Sequence, residues 1–223
     1  LKMNGGVAKA DLNEENLEAL AAGMPNLLQH VANLTEVYGM PVVVAINRHP
    51  TDTVAELELI QSCCAEQGVN AVLSEVWAKG GQGGIALAQE VLRLVEQPSE
   101  LKFAYPTGAS IKEAVEAVAT RIYHADGVDF APAALKQIAA LEENGYGHLP
   151  VCIAKTQYSF SDDPVKLGAP RGFRIAVREV KVSAGAGFVV VLAGSVMTMP
   201  GLPKVPAAEK IDVDESGRIT GLF

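Results

Sequence analysis

Leu73-Ser74-Glu75-Val76-Trp77-Ala78-Lys79-Gly80-Gly81-Gln82-Gly83-Gly84 is the stretch whose reading decides the fold. Before it, Val69-Asn70-Ala71-Val72-Leu73 has the apolar character of a short strand. After it, Ile85, Ala88, Val91, Leu92 and Val95 recur at helical spacing. The stretch is therefore a strand-to-helix turn, and it holds the only tryptophan of the protein. Its glycines let a backbone approach a ligand closely or turn with positive φ. Trp77 beside them either presents a flat face to a crevice or packs against a flexible turn. A second loop of the same kind, one unit earlier, favours the crevice.

That earlier unit begins at Val42-Val43-Val44-Ala45-Ile46-Asn47, a continuous apolar run of the kind found in parallel strands covered on both faces. Arg48-His49-Pro50-Thr51-Asp52 follows as a loop. Thr53 and Glu56 have capping-box spacing and open a helix to about Gln67, closed by Gly68. Strand, helix, strand and helix with short connections make a right-handed parallel unit. In such sheets ligands sit outside the carboxyl ends of the strands. His49, Pro50 and Trp77 are thus expected to face one crevice.

The remaining chain falls around this unit. Upstream, 13–38 reads as helix interrupted at Gly23-Met24-Pro25, with Gly39 as its C-cap. Downstream, Gln97-Pro98-Ser99 marks a boundary, giving domains at 1–100 and 101–223. The second contains an amphipathic helix over 110–124 and a helix from Pro132 to Glu143. A buried strand follows at Val151-Cys152-Ile153-Ala154. Phe173, Ile175 and Val177 then alternate on one face, and Val180 and Val182 continue on the other parity, which predicts a bulge near Arg178-Glu179. Phe188 to Ala193 is apolar throughout, hence central. Met199-Pro200-Gly201-Leu202-Pro203 reads as a rigid loop, and Asp214-Glu215-Ser216-Gly217 turns a terminal hairpin. The fold class is α/β: a parallel, Rossmann-like βαβ unit, then a smaller α/β domain of α+β character with a long hairpin.

Composition narrows the function classes. Among 223 residues, 26 acidic against 18 basic side chains give a net charge of −8 with no basic block, which argues against nucleic acid and anionic membrane as partners. No apolar run approaches the roughly 20 residues of a spanning helix. Three cysteines, two of them adjacent at Cys63-Cys64, fit a reducing cytoplasm better than a disulfide framework. No Cys/His spacing suggests zinc. The chain opens on Leu1, without a charged leader, and reads as a cut or processed start.

Several motifs carry chemistry weakly. Gly81-Gln82-Gly83-Gly84-Ile85-Ala86 fits G-x-G-x-x-A, but no strand ending in an acidic residue follows about 20 residues on, so a dinucleotide site lacks its context. There is no G-x-x-x-x-G-K-[ST] phosphate loop, so any phosphoryl chemistry needs residues from elsewhere. Lys155 at a strand end reads as solvated. Asp162-Asp163-Pro164 reads as a turn rather than a cation site. Ser159 has neither a nearby histidine nor a glycine elbow to activate it.

Longer blocks are specific. Leu1-Lys2-Met3-Asn4-Gly5-Gly6 resembles the end of the formate–tetrahydrofolate ligase signature V-A-T-x-R-A-L-K-x-[HN]-G-G. The segments 46–53, 74–84, 155–164 and 199–210 resemble the same family, and the likeness covers essentially the whole chain. It implies the C-terminal part of a cytoplasmic, homo-oligomeric ligase. Such an enzyme joins formate to tetrahydrofolate with ATP and its Mg2+, through formyl phosphate. The resemblance places Trp77 under the folate pterin, with Leu73 and Pro50 as apolar neighbours. His49 stands where family members commonly carry phenylalanine; its imidazole is smaller and can carry charge. The segment Leu167-Gly168-Ala169-Pro170-Arg171-Gly172 resembles the loop near the adenine, which implies nucleotide contacts from Ala169, Pro170 and Gly172. No nucleophilic side chain is needed, because positioning of the phosphoryl and formyl groups carries the catalysis. The phosphate loop belongs to the N-terminal domain of the same enzyme, so this chain alone is expected to be inactive. The alternative from another class is a stand-alone binding or assembly module.

Overall fold

A computed structural model describes residues 1–196 and 204–221. The rigid loop expected over 199–203 lies outside the described residues. Helix α1 spans Leu17–Ala32, with the Asn16 side chain capping it by accepting from Ala19 N at 2.8 Å. It runs unbroken through Pro25 and continues as a π turn at Asn33–Val37. The expected interruption does not occur. Pro25 lies on the exposed face, as does Ala21, whose carbonyl loses its helical donor and can take water instead.

Strand β1 (Val43–Asn47), helix α2 (Val54–Glu66) and strand β2 (Asn70–Ser74) form the parallel unit. The Thr53–Glu56 capping box is present at the start of α2. β1 and β2 pair in register, Ile46 opposite Leu73 and Asn47 opposite Ser74. Of these two strands only Ile46 and Ser74 are fully buried, so they are half-covered rather than sandwiched as the apolar run suggested. After β2 the chain forms a short helix α3 (Val76–Lys79), a 3-10 segment at Gly80–Gly84 and helix α4 (Ile85–Val95).

The second region contains α5 (Ile111–Arg121), β3 (Val128–Phe130), α6 (Pro132–Glu143), β4 (Val151–Ala154), β5 (Ile175–Ser183) and β6 (Phe188–Ala193). Its sheet has the order β3-β5-β6-β4; β5 and β6 are antiparallel, and the outer strands lie parallel to their neighbours. β6 is central, and the register slips between Val177 and Glu179, both as expected. β3 is too short, at 3 residues, to leave a periodic signal and is not anticipated by the sequence. Ile111, Val115 and Ala119 from α5 and Ile138 from α6 pack with Ile175, Val177, Val189 and Val191 of the sheet. The terminal hairpin pairs β7 (Asp212–Val213) with β8 (Ile219–Thr220).

The amino-terminal 3-10 turn, Lys2–Gly5, docks on α1. A Cβ on Gly5 would lie 1.8 Å from the Ala19 carbonyl oxygen, so only glycine allows this approach. Among the described residues, no helix is long and apolar enough to cross a membrane.

Candidate functional site

Parallel register brings the loops after β1 and β2 to one end of their sheet. Arg48 N donates to Ser74 O at 3.2 Å, extending the pairing by one step. Trp77 then sits in the first turn of α3 and returns its indole N–H to the Arg48 carbonyl at 2.8 Å. That bond fixes the ring plane while 61% of the residue stays exposed. A ring held at its edge and open on its face is suited to stacking, not to filling a core.

Arg48, His49, Pro50, Glu75 and Trp77 line a cavity of about 200 Å³. His49, Pro50 and Trp77 are thus brought together. Leu73 is not among the lining residues; it sits half-buried in β2 opposite Ile46. The loop is held by its own side chains, with His49 N donating to Asp52 Oδ2 at 2.6 Å. Thr51 Oγ1 gives its hydrogen to Asn13 Oδ1 (3.3 Å), so His49 Nδ1, 3.1 Å away, is the donor of that pair. Glu75 bridges Arg48 (3.0 Å) and Lys79 (2.5 Å). Lys79 first, then Arg48, hold its carboxyl below the usual range against the opposing effect of burial. With Asp52 on the same loop, the two cations Arg48 and Lys79 face two carboxylates, so the formal charges balance. Neither Arg48 nor Glu75 stood out in the sequence; a charged pair flanking the two loops was the available signal.

Gly83 makes this turn possible. Its carbonyl accepts from Glu75 N at 3.0 Å, and a Cβ there would meet the Glu75 oxygen at 2.4 Å. Gly83→Ala is expected to displace Glu75 and the start of α3 and to cost about 1–3 kcal/mol by overpacking. A shifted Trp77 emission maximum and a lower urea midpoint would show it.

A second cavity, of about 330 Å³, opens at the carboxyl end of β4 between the amino-terminal turn, α1 and the segment 155–160. Lys155 is not a solvated strand end. Its ammonium donates to the carbonyls of Thr156 (3.1 Å), Ser159 and Ser161 (3.1 Å) and lies 4.8 Å from the Tyr123 ring centre. Burial draws its pKa down to about 8, with Asp162 opposing. His30 packs on Phe160 at 4.5 Å between ring centres, and burial, then Lys155, lower its pKa. Asp162 is committed as well, accepting from Ser161 Oγ (3.2 Å) and Ala176 N (2.9 Å). Among the described residues no group of three His, Cys, Asp or Glu side chains is placed to hold a metal ion.

The loop 167–172 borders this cavity without lining it. Asn4 Oδ1 accepts from Gly168 N at 3.2 Å and Asn26 Nδ2 donates to Gly168 O at 2.9 Å. Arg171 donates to Gln29 Oε1 at 2.7 Å. Ala169 and Pro170 are half-buried, and Gly172 is exposed with φ +69°. A larger cavity of about 560 Å³ lies between residues 103–109 and β4, with Tyr38, Tyr105 and Cys152 among its walls.

The family model for formate–tetrahydrofolate ligase matches residues 1–223. A formate–tetrahydrofolate ligase of Symbiobacterium thermophilum is 60% identical over 223 residues, covering all of this chain and 40% of that protein. The chain therefore spans about 40% of the length of the curated relative it matches. On a likeness that runs from its first residue to its last, the chain belongs to the formate–tetrahydrofolate ligase family.

Proposed function

We propose that this chain forms the folate-binding side of an ATP-dependent ligase that joins formate to tetrahydrofolate through formyl phosphate. The observation that carries the reading is Trp77, its N–H tied to Arg48 O and its ring exposed beside His49 and Pro50. The pterin would stack on that ring. Leu73 would support the crevice from within β2. Ala169, Pro170 and Gly172 would contact the nucleotide from the clamped loop. Phosphate binding would come from the rest of the enzyme, and Mg2+ would arrive with the ATP phosphates, since the described residues supply no ligand set for it. A split near residue 100, a homo-oligomeric assembly and a cytoplasmic location complete the proposal.

The test is tetrahydrofolate titration of this chain by calorimetry, with Trp77 fluorescence in parallel. A pocket open on one side should give a dissociation constant on the order of millimolar, about −4 kcal/mol. Stacking contributes about 0.5–1.5 kcal/mol beyond burial, so Trp77→Ala should weaken binding about tenfold and His49→Phe should tighten it. Unchanged calorimetric affinity in Trp77→Ala would overturn the reading.

A further inference from the structure

Four polar side chains meet where α1, the chain just after α5 and the loop 167–172 come together, and their hydrogen bonds admit one arrangement. Arg171 can only donate, so the Gln29 atom that its Nη2 reaches at 2.7 Å is Oε1, and Gln29 Nε2 points away from it. Asn33 Nδ2 donates to Ile122 O at 2.9 Å, which leaves Asn33 Oδ1 to accept from Gln29 Nε2 at 3.1 Å. The second hydrogen of Gln29 Nε2 meets His124 Nε2 at 2.5 Å. That ring nitrogen therefore carries a lone pair, and the imidazole is neutral with its proton on Nδ1. Asn33 Oδ1 lies 3.3 Å from the same nitrogen with no hydrogen between them. Gln29 and Asn33 are both buried, so neither amide can turn to water instead. His124 is held against them at φ +57°, and among the described residues it is the one non-glycine with positive φ.

We propose that His124 is a proton switch that releases Arg171 from α1. A proton on His124 Nε2 sets two donors against each other at the Gln29 contact. Gln29 can offer His124 an acceptor only by turning its amide over. That movement presents Nε2 to the guanidinium, which has nothing to accept with. Protonation of His124 and the Arg171–Gln29 bond are therefore mutually exclusive. The charged groups that face the imidazole act on the same choice: Arg171 from the loop opposes the proton and Glu36 from the π turn favours it. Burial first, then Arg171, outweigh Glu36 and hold the His124 pKa below its usual value. The ring is thus neutral at neutral pH and takes its proton only below about pH 6.5. Asn4 and Asn26 keep Gly168 in place throughout, so the switch frees the Arg171 end of the loop and not the whole of it. It operates whatever the loop binds.

NMR on this chain, from about pH 8 down to about pH 4.5, spans the ordinary histidine value near 6.5 and tests the switch. The His124 Cε1–H signal should titrate with a midpoint below that value. Over the same midpoint the Gln29 side-chain amide protons should shift. The order parameter of the Arg171 Nε–H group, from 15N relaxation, should fall into the flexible range below about 0.6. His124→Asn keeps a residue that tolerates the left-handed conformation and removes the titration. In that variant Arg171 should not respond to pH, although His30 on α1 still titrates. Arg171 order that is constant across the His124 titration, or that falls equally in His124→Asn, would overturn the switch. Gln29 amide signals that stay in place while Arg171 loosens would remove the relay, and a His124 midpoint at or above about 6.5 would contradict the neutral ring.

Discussion

Glu56→Ala is expected to lose about 3–5 kcal/mol of folding stability, the usual cost of leaving half of a buried ion pair uncompensated. Glu56 is 3% exposed. Its Oε1 accepts from Lys2 Nζ at 2.8 Å and from Asn16 N at 3.1 Å, and its Oε2 accepts from Thr53 N at 3.3 Å. One carboxylate therefore joins the amino-terminal turn, the start of α1 and the start of α2. Burial pushes its pKa up, but Lys2 and the Asn16 and Thr53 amides outweigh that and hold it below the usual range. A carboxyl lowered in the folded state stabilises the protein above its unfolded pKa, and that contribution is lost as pH falls through the folded value. The difference between the two proteins in urea should be largest at neutral pH and shrink in acid. Equal midpoints at pH 7 would show that the carboxylate contributes nothing net.

Ile138→Ala should be comparably damaging, at about 2–5 kcal/mol, because deleting a fully buried side chain removes its transfer energy and leaves a cavity. Ile138 has 0% exposure and joins α6 to the sheet core. Urea unfolding with an unchanged slope and a lower midpoint is the expected result. A loss below about 0.5 kcal/mol, within the usual range for surface substitutions, would place the residue outside the core.

Ile138 also illustrates what the sequence discloses. Helices with a regular apolar stripe, such as Ile111, Val115 and Ala119, were legible because one face of a 3.6-residue period meets the sheet. The two strands before the candidate loops were legible as short apolar runs, and their parallel register placed His49, Pro50 and Trp77 together. What escaped was everything decided by tertiary contact. Pro25 does not break α1, because solvent on its exposed side replaces what the helix loses. Lys155 has the residue type of a solvated strand end, yet the chain beyond it folds back and offers three carbonyls. Asn4, Asn26 and Gly168 are up to 164 residues apart in sequence, and no local pattern could have paired them.

The slip in β5 has a consequence for how this chain tolerates changes of length. Val177 and Val180 are both buried although two residues, Arg178 and Glu179, lie between them, because the irregularity near Glu179 inserts one residue out of step. Substitution at exposed Arg178 leaves that count intact. Removing Arg178 would close the irregularity and leave Val177, Glu179 and Val180 as consecutive residues opposite Ala193, Leu192 and Val191, with both valines still on one face. A change of length beyond Val180 would instead turn the following side chains over or force the hairpin with β6 into a new pairing. Across related proteins, loss of one residue should therefore be accommodated at this interval as well as in the 184–187 turn, whereas the regularly paired run from Val180 to Ser183 should keep its length.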